Sequence, residues 1–423
     1  MIVLFYITLY FFFLFITYFK FGTLFRANNL FNTMWSLGAI VVLYEVAGLY
    51  PVSLLTHMYI VFSILSFNIV YLLFSKKTFK FQMNIDRRDL KLKYVYLLNI
   101  SSYFFLIPIL INAIKIIINL GWDSLRLYAF RDSDILASAL QLRIVSWIVY
   151  PIFLSTILLA VILAVKKVKI PFLYVIATLN LLSYTISFGG RNDIIKTFFY
   201  FILTFLVLKS TNIKKVIIPK KYIFYGICIL SITFYLTTLR SLKGLNFIEN
   251  ALVYFFGSLS YFDVLIHSPE FSTFHDSLLF GTGVLGFLIN PLLYIGMMIF
   301  GIPNYTSEYL VKIVTDNYIF ISENFRYNAM SSALYPFWRD GKGVGIVIGM
   351  MVFSIIVVVI ENKYYNNRNL RSFSLYIFIL FIVFSSVMNY ELLTIRTFMN
   401  IVFIITFTRP LTKAIKVQNN RGL

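Results

Sequence analysis

Long apolar runs recur along the chain, from Ile2 to Thr408, and they limit the possible folds more than any other feature. A helix that crosses about 30 Å of hydrocarbon needs roughly 20 consecutive apolar residues, and runs of that length recur throughout. Hydrophobic residues make up 60% of the chain and charged residues 13%, with a mean hydropathy of +0.84. Because a soluble protein does not need so many apolar residues, the sequence predicts an all-α polytopic membrane protein with a single integral membrane domain, residues 1–423.

Charged residues, prolines and glycines separate the runs and set the boundaries of the predicted spans. The pattern predicts about eleven transmembrane helices. They lie near residues 2–19, 33–50, 53–74, 94–119, 144–165, 170–188, 193–208, 222–239, 343–360, 372–389 and 396–408. The longest connecting segment, residues 239–341, separates the eighth helix from the ninth.

Basic residues cluster in alternate loops between the first eight spans, at 76–93, 166–169 and 209–221. Short loops rich in Lys and Arg stay on the cytoplasmic side of a membrane. We therefore expect the N-terminus outside, the C-terminus inside and the segment 239–341 in extracytoplasmic space. The same loops explain most of the net charge of +20, so we expect no nucleic-acid partner.

Segment 280–300 is apolar enough to cross a membrane, but it contains four glycines and Pro291. If it crossed alone, the basic loop at 363–371 and the basic tail after Thr408 would both face outward, against the charge rule. We therefore predict a re-entrant or interfacial hairpin here.

Segment 247–266 is also apolar, yet its polar residues recur at helical spacing. Asn250, Tyr254, Ser258 and Tyr261 fall on one side of a helix, and apolar residues occupy the other side. This pattern predicts an amphipathic, interfacial helix on the outer surface of the membrane.

Residues that commonly hold metals are scarce. The single Cys228 excludes an internal disulfide and a cysteine-based metal site, and three histidines leave little scope for zinc. A Ser–His–Asp spacing and a phosphate-cradling Gly-x-x-x-x-Gly-Lys-Ser/Thr loop are also missing from the sequence. We therefore expect no metal and no cofactor.

Arginine leads among the basic residues that this topology places outside, whereas lysine leads in the loops assigned inside. A guanidinium binds phosphate oxygens in a bidentate fork and keeps its charge when partly desolvated, so an arginine-lined outer cavity suits a phosphorylated lipid. The alternative is that these arginines pair with aspartates and lipid headgroups. The outward basic residues are Arg126, Arg131, Arg143, Arg191, Arg240, Lys243, Lys312, Arg326, Arg339, Lys342 and Arg396.

The sequence Gly-Gly-Arg-Asn-Asp at residues 189–193 is the sharpest local feature. Its two glycines permit a tight turn, and Asn192 or Asp193 caps the helix that follows. Arg191 then joins free backbone amides and the helix dipole in an anion site. The alternative is a plain hairpin turn in which Arg191 pairs with Asp193.

Four stretches, in order along the chain, carry a resemblance to one family. Residues 189–191 are similar to a Gly-(Gly/Ser)-Arg turn, and residues 254–259 to a Tyr-x-x-Gly-Pro segment that the stretch 280–291 then follows. Residues 328–345 are similar to an Asn…Tyr…Asp-x-Gly-x-x-Gly run that enters a late helix. Together they resemble the Wzy-type polymerases of oligosaccharide repeat units, membrane enzymes that assemble O-antigen and capsule chains.

The resemblance implies the C-type glycosyltransferase fold and a metal-independent enzyme of polysaccharide biosynthesis in the bacterial inner membrane. The reaction implied is transfer of a growing glycan from undecaprenyl diphosphate onto a lipid-linked repeat unit at the outer face. Membrane lipids and the undecaprenyl-diphosphate-linked oligosaccharide are the partners implied, and a chain-length regulator is left open. The helix at 247–266 would form a lid over the lipid-linked sugars.

Cationic groups would stabilise the diphosphate leaving group without a metal. On the resemblance, Arg191 and Arg240 would contact the diphosphate, and Arg126, Arg131 and Arg339 would add further anion contacts.

The transfer also needs a base for the attacking sugar hydroxyl, and its pKa should lie near neutrality, which histidine needs least help to reach. We expect His267 or Asp263 in this role, although any single candidate could be a solvated surface residue. The candidates are Glu249, Asp263, His267, Glu270, His275, Asp276, Glu308, Asp316, Glu323 and Asp340.

Two other functions fit the same topology. An O-antigen ligase shares the architecture and the lipid donor but uses a lipid A core acceptor. A flippase or other transporter of lipid-linked oligosaccharide would also have many spans and a basic cavity, although transporters often show two similar halves. The four matching stretches favour the polymerase.

Overall fold

The computed structural model is almost entirely helical. It describes residues 2–77, 83, 85–122, 124–125, 128, 136–190, 192–211, 247–271, 279–301, 303, 305–323, 326–327 and 330–410. The helices are α1 (Ile2–Phe21), α2 (Ala27–Leu43), α3 (Leu54–Phe74), α4 (Leu92–Leu120), α5 (Ala139–Val165), α6 (Pro171–Phe188), α7 (Asn192–Thr211), α8 (Phe247–His267), α9 (Gly286–Phe300), α10 (Ser307–Thr315), α11 (Leu334–Asn367), α12 (Leu370–Ser385) and α13 (Ile395–Phe407). Two short antiparallel strands, β1 (Ile319–Phe320) and β2 (Arg326–Tyr327), pair between α10 and α11.

Within the described residues, seven helices are long and apolar enough to cross a membrane: α1, α3, α4, α5, α6, α7 and α11. Three further apolar helices, α9, α12 and α13, are shorter. The described helices overlap in sequence with ten of the eleven predicted spans. The eighth predicted span, at 222–239, is outside the described residues. The prediction of a helical multi-pass membrane protein is confirmed.

The contacts divide the chain into two compact units. The first contains Met1–Thr78, Phe234–Glu361 and Ile379–Phe398, and the second contains Phe79–Thr233, Asn362–Phe378 and Met399–Leu423. Each unit is therefore assembled from segments far apart in the sequence.

Amide side chains join α1, α2 and α3 inside the first unit. Asn28 Nδ2 donates to Thr17 Oγ1 at 2.6 Å and to Asn68 Oδ1 at 3.2 Å, while Asn68 Nδ2 donates to Asn32 Oδ1 at 2.5 Å. Because hydrocarbon offers amides no partners, polar side chains of membrane helices turn inward and bond one another.

These bonds explain why the predicted start of the second span is wrong. The span was predicted near residues 33–50, from the apolar run there, whereas α2 begins at Ala27. At the other end the helix stops at Leu43, and Glu45 and Ala47 follow with positive φ angles of 49° and 60°. That left-handed backbone cannot continue a helix.

A buried ion pair joins three segments of the first unit. Arg26 Nη1 lies 3.1 Å from Glu361 Oε1, and both side chains are 0% exposed. Tyr71 donates its hydroxyl to Glu361 Oε2 at 2.5 Å, and the Arg26 guanidinium lies 4.2 Å from the centre of the Phe21 ring. The carboxylate thus receives donors from the α1–α2 connection and from α3.

The second unit has a similar polar contact among α4, α5 and α6. Asn180 Nδ2 donates to Asn99 Oδ1 at 2.6 Å, and Asn99 Nδ2 donates to Thr156 Oγ1 at 2.9 Å. Tyr103 donates its hydroxyl to Asn180 Oδ1 at 3.0 Å. These four side chains fix the register of the three helices.

The helix predicted at 247–266 is present as α8, but the expectation that its polar side is exposed is wrong. Residues from both predicted faces are fully buried, among them Ser258 and Tyr261 on the polar side and Leu259 on the apolar side. The Ser258 hydroxyl donates to the Val387 carbonyl at 2.6 Å, and the Tyr261 hydroxyl donates to a carbonyl oxygen at 3.2 Å. The polar side therefore faces protein.

Close packing of α8 on α2 depends on Gly38. A methyl group at this position would lie 2.9 Å from Phe256 Cδ1 and 3.1 Å from Leu259 Cδ1. Small residues let membrane helices approach closely.

The hairpin predicted within 280–300 takes a different form. Residues 286–300 make one helix, α9, whose length of 15 residues corresponds to about 22 Å. The backbone N–H of Ser307 then donates to Asn290 Oδ1, near the start of α9, at 3.0 Å. The chain therefore returns to the beginning of the helix within seven residues of Phe300.

Candidate functional site

A carboxylate of α11 binds the turn that precedes α9. Asp340 Oδ1 accepts the backbone N–H groups of Gly281 and Gly283, each at 2.9 Å, and Oδ2 accepts that of Val284 at 3.0 Å. The positive φ angles of Phe280 (47°) and Gly281 (85°) help to turn these amides toward one point. Such a concave group of amides is an anion-binding nest, and here the anion is the protein's own aspartate.

The turn and α11 are in direct backbone contact. A methyl group on Gly283 would lie 2.4 Å from the Pro336 carbonyl oxygen, and the Leu279 N–H donates to the Arg339 carbonyl at 2.9 Å. Immediately after Asp340, α11 is kinked, because Gly341 and Lys342 have non-helical backbone angles. The Asp340 contacts therefore connect two of the four stretches that the sequence analysis compared with a family pattern, 280–291 and 328–345.

Arg339 immediately precedes Asp340 in α11, but its side chain is buried rather than open to water. Its side chain is 1% exposed, and its Nη1 donates to the Tyr335 hydroxyl at 3.2 Å. The Lys342 ammonium lies 3.8 Å from the centre of the Trp338 ring. The predicted placement of Arg339 in water-accessible space is therefore wrong, because the first turns of α11 pack its guanidinium among aromatic side chains.

The two expected bases, Asp263 and His267, lie together at the end of α8. Asp263 Oδ1 accepts the Ser53 N–H at 3.1 Å, the Ser53 hydroxyl at 2.5 Å and the Thr56 hydroxyl at 2.5 Å. His267 is half-exposed, and its Nδ1 lies 2.8 Å from the Asp263 carbonyl oxygen. Asp263 therefore binds the N-terminal turn of α3, and its oxygen already has three donors.

Glu308 is an acidic side chain whose surroundings suit a base. Its Oε2 accepts the backbone N–H of Ile395, at the start of α13, at 3.1 Å. Burial raises the pKa of this carboxyl, and Arg396 and Lys312 act in the opposite direction. A carboxyl with a raised pKa accepts a proton more readily near neutral pH.

Hydrogen bonds hold Glu308 next to the turn that Asp340 binds. The neighbouring Ser307 donates its hydroxyl to the Thr282 carbonyl at 2.7 Å. Asn290 accepts the Ser307 N–H and donates to the Leu393 carbonyl at 2.7 Å. Sequence spacing did not single out Glu308, because its environment is made by segments about 90 residues apart.

The other predicted substrate contacts, Arg126, Arg131, Arg191 and Arg240, lie outside the described residues. Near residue 191, Asp193 accepts the Tyr150 hydroxyl at 2.7 Å, and Lys196 Nζ lies 3.3 Å from the same hydroxyl. Asp193 therefore contacts α5 within the second unit.

Among the residues that the structure describes, no group of three His, Cys, Asp or Glu side chains is placed to hold a metal ion. The polar groups that the structure describes in the first unit can supply hydrogen bonds, positive charge and a carboxyl group that accepts a proton.

Fold and site together define a polytopic helical membrane protein with a partly buried polar cluster formed by α9, α10, α11 and the start of α13. Comparison with family models, with curated proteins and with solved structures finds no match for the chain.

Proposed function

We propose that the protein is a polysaccharide polymerase of the bacterial inner membrane. It transfers a growing glycan from undecaprenyl diphosphate to a lipid-linked oligosaccharide repeat unit at the outer face. The proposal includes eleven spans, the C-type glycosyltransferase fold, an extracytoplasmic segment at 239–341, the N-terminus outside and the C-terminus inside.

The binding of Asp340 to residues 281–284 carries the proposal. Two stretches that resemble the polymerase family are about 50 residues apart in the sequence, yet three N–H···O bonds join them. The alternative, that these stretches are unrelated turns of a membrane protein, does not require them to meet. Glu308 is connected to the same turn through Ser307.

The proposed reaction needs positive charge at the leaving diphosphate and a base at the attacking hydroxyl. We assign the positive charge to Arg191 and Arg240, with Arg126 and Arg131 as further contacts. Removing one such preorganised group typically lowers the rate by 10²-fold or more, about 3 kcal/mol. Arg339 is buried against Tyr335, so in this proposal it supports α11 rather than contacting the diphosphate.

We assign the base to Glu308 in preference to Asp263. Glu308 has one hydrogen bond from Ile395 and a raised pKa, whereas Asp263 Oδ1 accepts three donors. His267 remains the second candidate because it is half-exposed at the end of α8.

Glu308→Gln should lower the polymerisation rate by about 10²-fold to 10⁴-fold, because glutamine keeps an oxygen for Ile395 but accepts no proton. In the wild type, activity should fall as the pH decreases through the raised pKa of Glu308, above the range of an ordinary glutamate. The measurement is the pH profile of polymer formation from purified lipid-linked repeat units. Glu323→Gln makes the same substitution at an exposed position and is the control. Unchanged activity in Glu308→Gln would assign the base elsewhere.

The function itself is tested by the surface polysaccharide of a deletion strain. Loss of a polymerase leaves a single repeat unit on the lipid core, loss of a ligase leaves none there, and loss of a flippase leaves lipid-linked units inside the cell. The first pattern supports the proposal, and either of the others contradicts it.

Complementing that strain with Arg191→Ala tests the diphosphate site. We expect the long chains to disappear while the protein still reaches the membrane, because the leaving group loses its main positive charge. Chain length is read from polysaccharide gels, and protein amount from immunoblots of membranes. Normal chains would exclude Arg191 from the mechanism.

A further inference from the structure

A basic pocket lies at the start of α4 in the second unit, apart from the site described above. It is open, has a volume of about 400 Å³, and is lined by Lys91, Leu92, Lys93, Tyr94, Arg409 and Pro410. Three of its six lining residues are cationic. They come from two segments more than 300 residues apart, so the pocket exists only in the folded protein.

Backbone hydrogen bonds hold the two segments together. The Lys91 N–H donates to the Phe407 carbonyl at 2.8 Å, and the Arg409 N–H donates to the Asp89 carbonyl at 2.8 Å. Arg371 also donates to the Thr408 carbonyl at 2.6 Å, within the same unit. The chain positions that carry the three cations are therefore anchored on both sides of the pocket.

The pocket keeps a positive charge that its neighbours only partly balance. Within the described part of the chain, no carboxylate lies within ion-pair distance of Lys91, Lys93 or Arg409. Asp89 is the acidic group near Arg409, and its Oδ2 accepts the Asp86 N–H at 2.9 Å. Burial raises the pKa of Asp89, while Arg409 acts to lower it. Of the three cations, Arg409 thus interacts with a partly buried carboxyl.

The position of the pocket matches the level of lipid headgroups. Leu92 begins a 29-residue apolar helix, and Phe407 ends another apolar helix at the same place. Tyr94 is about half-exposed at the rim, and the Lys91 ammonium lies 5.8 Å from its ring centre. Tyrosine and lysine are enriched where a transmembrane helix leaves the hydrocarbon.

We propose that this pocket binds the phosphate group of an anionic phospholipid. An arginine fork and two ammonium groups suit a phosphodiester, and the first backbone N–H groups of α4 add donors at a helix N-terminus. The apolar start of α4 would lie along the acyl chains. The site is independent of the proposed glycosyl transfer.

The test uses the full-length protein in nanodiscs that contain phosphatidylglycerol and phosphatidylcholine. Native mass spectrometry measures how many phosphatidylglycerol molecules the released protein retains and how tightly it retains them. Lys91→Gln/Lys93→Gln/Arg409→Gln should weaken retention by about tenfold to hundredfold, since each basic residue near a membrane surface contributes about a factor of five. Arg88→Gln/Lys167→Gln/Lys169→Gln removes the same charge from exposed positions and should retain the lipid.

Equal retention by the two triple variants would overturn the proposal. If the two triple variants have equal melting temperatures, the difference in lipid retention does not come from unfolding of one of them. Inorganic phosphate is then added as a competitor. Two results together would show that the pocket binds soluble phosphate and that the lipid assignment is wrong. Inorganic phosphate would displace phosphatidylglycerol at concentrations near the Kd of phosphate, and the protein would retain phosphatidylcholine as well as it retains phosphatidylglycerol. If the protein still retains phosphatidylglycerol more tightly than phosphatidylcholine after phosphate is added, the result supports a phospholipid site.

Discussion

Arg26→Ala is expected to lower the free energy of unfolding by about 3–5 kcal/mol, because it removes a cation from direct contact with a buried carboxylate. Glu361 and Arg26 are both 0% exposed and lie 3.1 Å apart. Glu361 also accepts the Tyr71 hydroxyl, but a neutral donor stabilises a buried carboxylate less than a guanidinium does. Thermal unfolding in detergent should show a large decrease in melting temperature.

Two control variants separate the ion pair from general damage. Arg26→Met/Glu361→Met removes both charges with similar volumes and should recover much of the lost stability, since apolar pairs often replace buried ion pairs at little cost. Arg88→Ala removes an arginine that is 92% exposed and pairs with Asp86 at 3.6 Å, so it should have little effect. A melting temperature for Arg26→Ala equal to that of Arg88→Ala would show that the buried pair adds no stability.

Asp340→Ala is expected to reduce both stability and polymer length. It leaves the N–H groups of Gly281, Gly283 and Val284 without their shared acceptor in a partly buried turn. An unsatisfied donor costs about 1–3 kcal/mol when it is fully buried and less where water can reach it. The turn at 280–285 would then move away from α11, and Ser307 and Glu308 would lose the position that Thr282 gives them. We expect short chains in the complemented deletion strain, together with a lower melting temperature.

Asp340→Asn is a more informative variant than Asp340→Ala, because it keeps the size of the side chain and removes its charge. Its amide oxygen can still accept one or two of the three N–H groups, but its NH₂ group faces the remaining donor, so an intermediate loss is expected. Asp316→Ala is the matched control, because that carboxylate is 54% exposed and only approaches Lys312 at 3.9 Å. Long chains and an unchanged melting temperature in Asp340→Ala would exclude a role for the nest in both stability and function.

The contrast between α8 and Glu308 shows where prediction from the sequence reaches its limit. The helical spacing of 247–266 was sufficient to predict the helix, since periodicity is a local property. Its surroundings were predicted incorrectly because the partners of Ser258 and Tyr261, the carbonyls of Val387 and Thr315, are 129 and 54 residues away. A side-chain hydroxyl can donate a hydrogen bond to a carbonyl group inside the protein as well as to water, so its presence in the sequence does not show that it is exposed.

The acidic residues illustrate the same limit. The eight acidic candidates for the base look alike in the sequence, because carboxylates differ in reactivity only through burial and neighbours. The fold separates those that it describes: Asp263 binds the turn before α3, Asp340 binds the turn before α9, and Glu308 binds the start of α13. Arg339 was likewise expected in water and is buried.

The sequence by itself determined the helical, multi-pass character of the protein and the approximate position of nearly every apolar helix. These properties follow from runs of hydrophobic residues, which have no stable alternative to a helix in hydrocarbon. Only the tertiary structure decided that Arg26 pairs with Glu361, that Asp340 fills a nest of amides and that Lys91 and Arg409 share a pocket. Each of these contacts joins segments far apart along the chain, and hydropathy carries no information about which distant polar groups will meet.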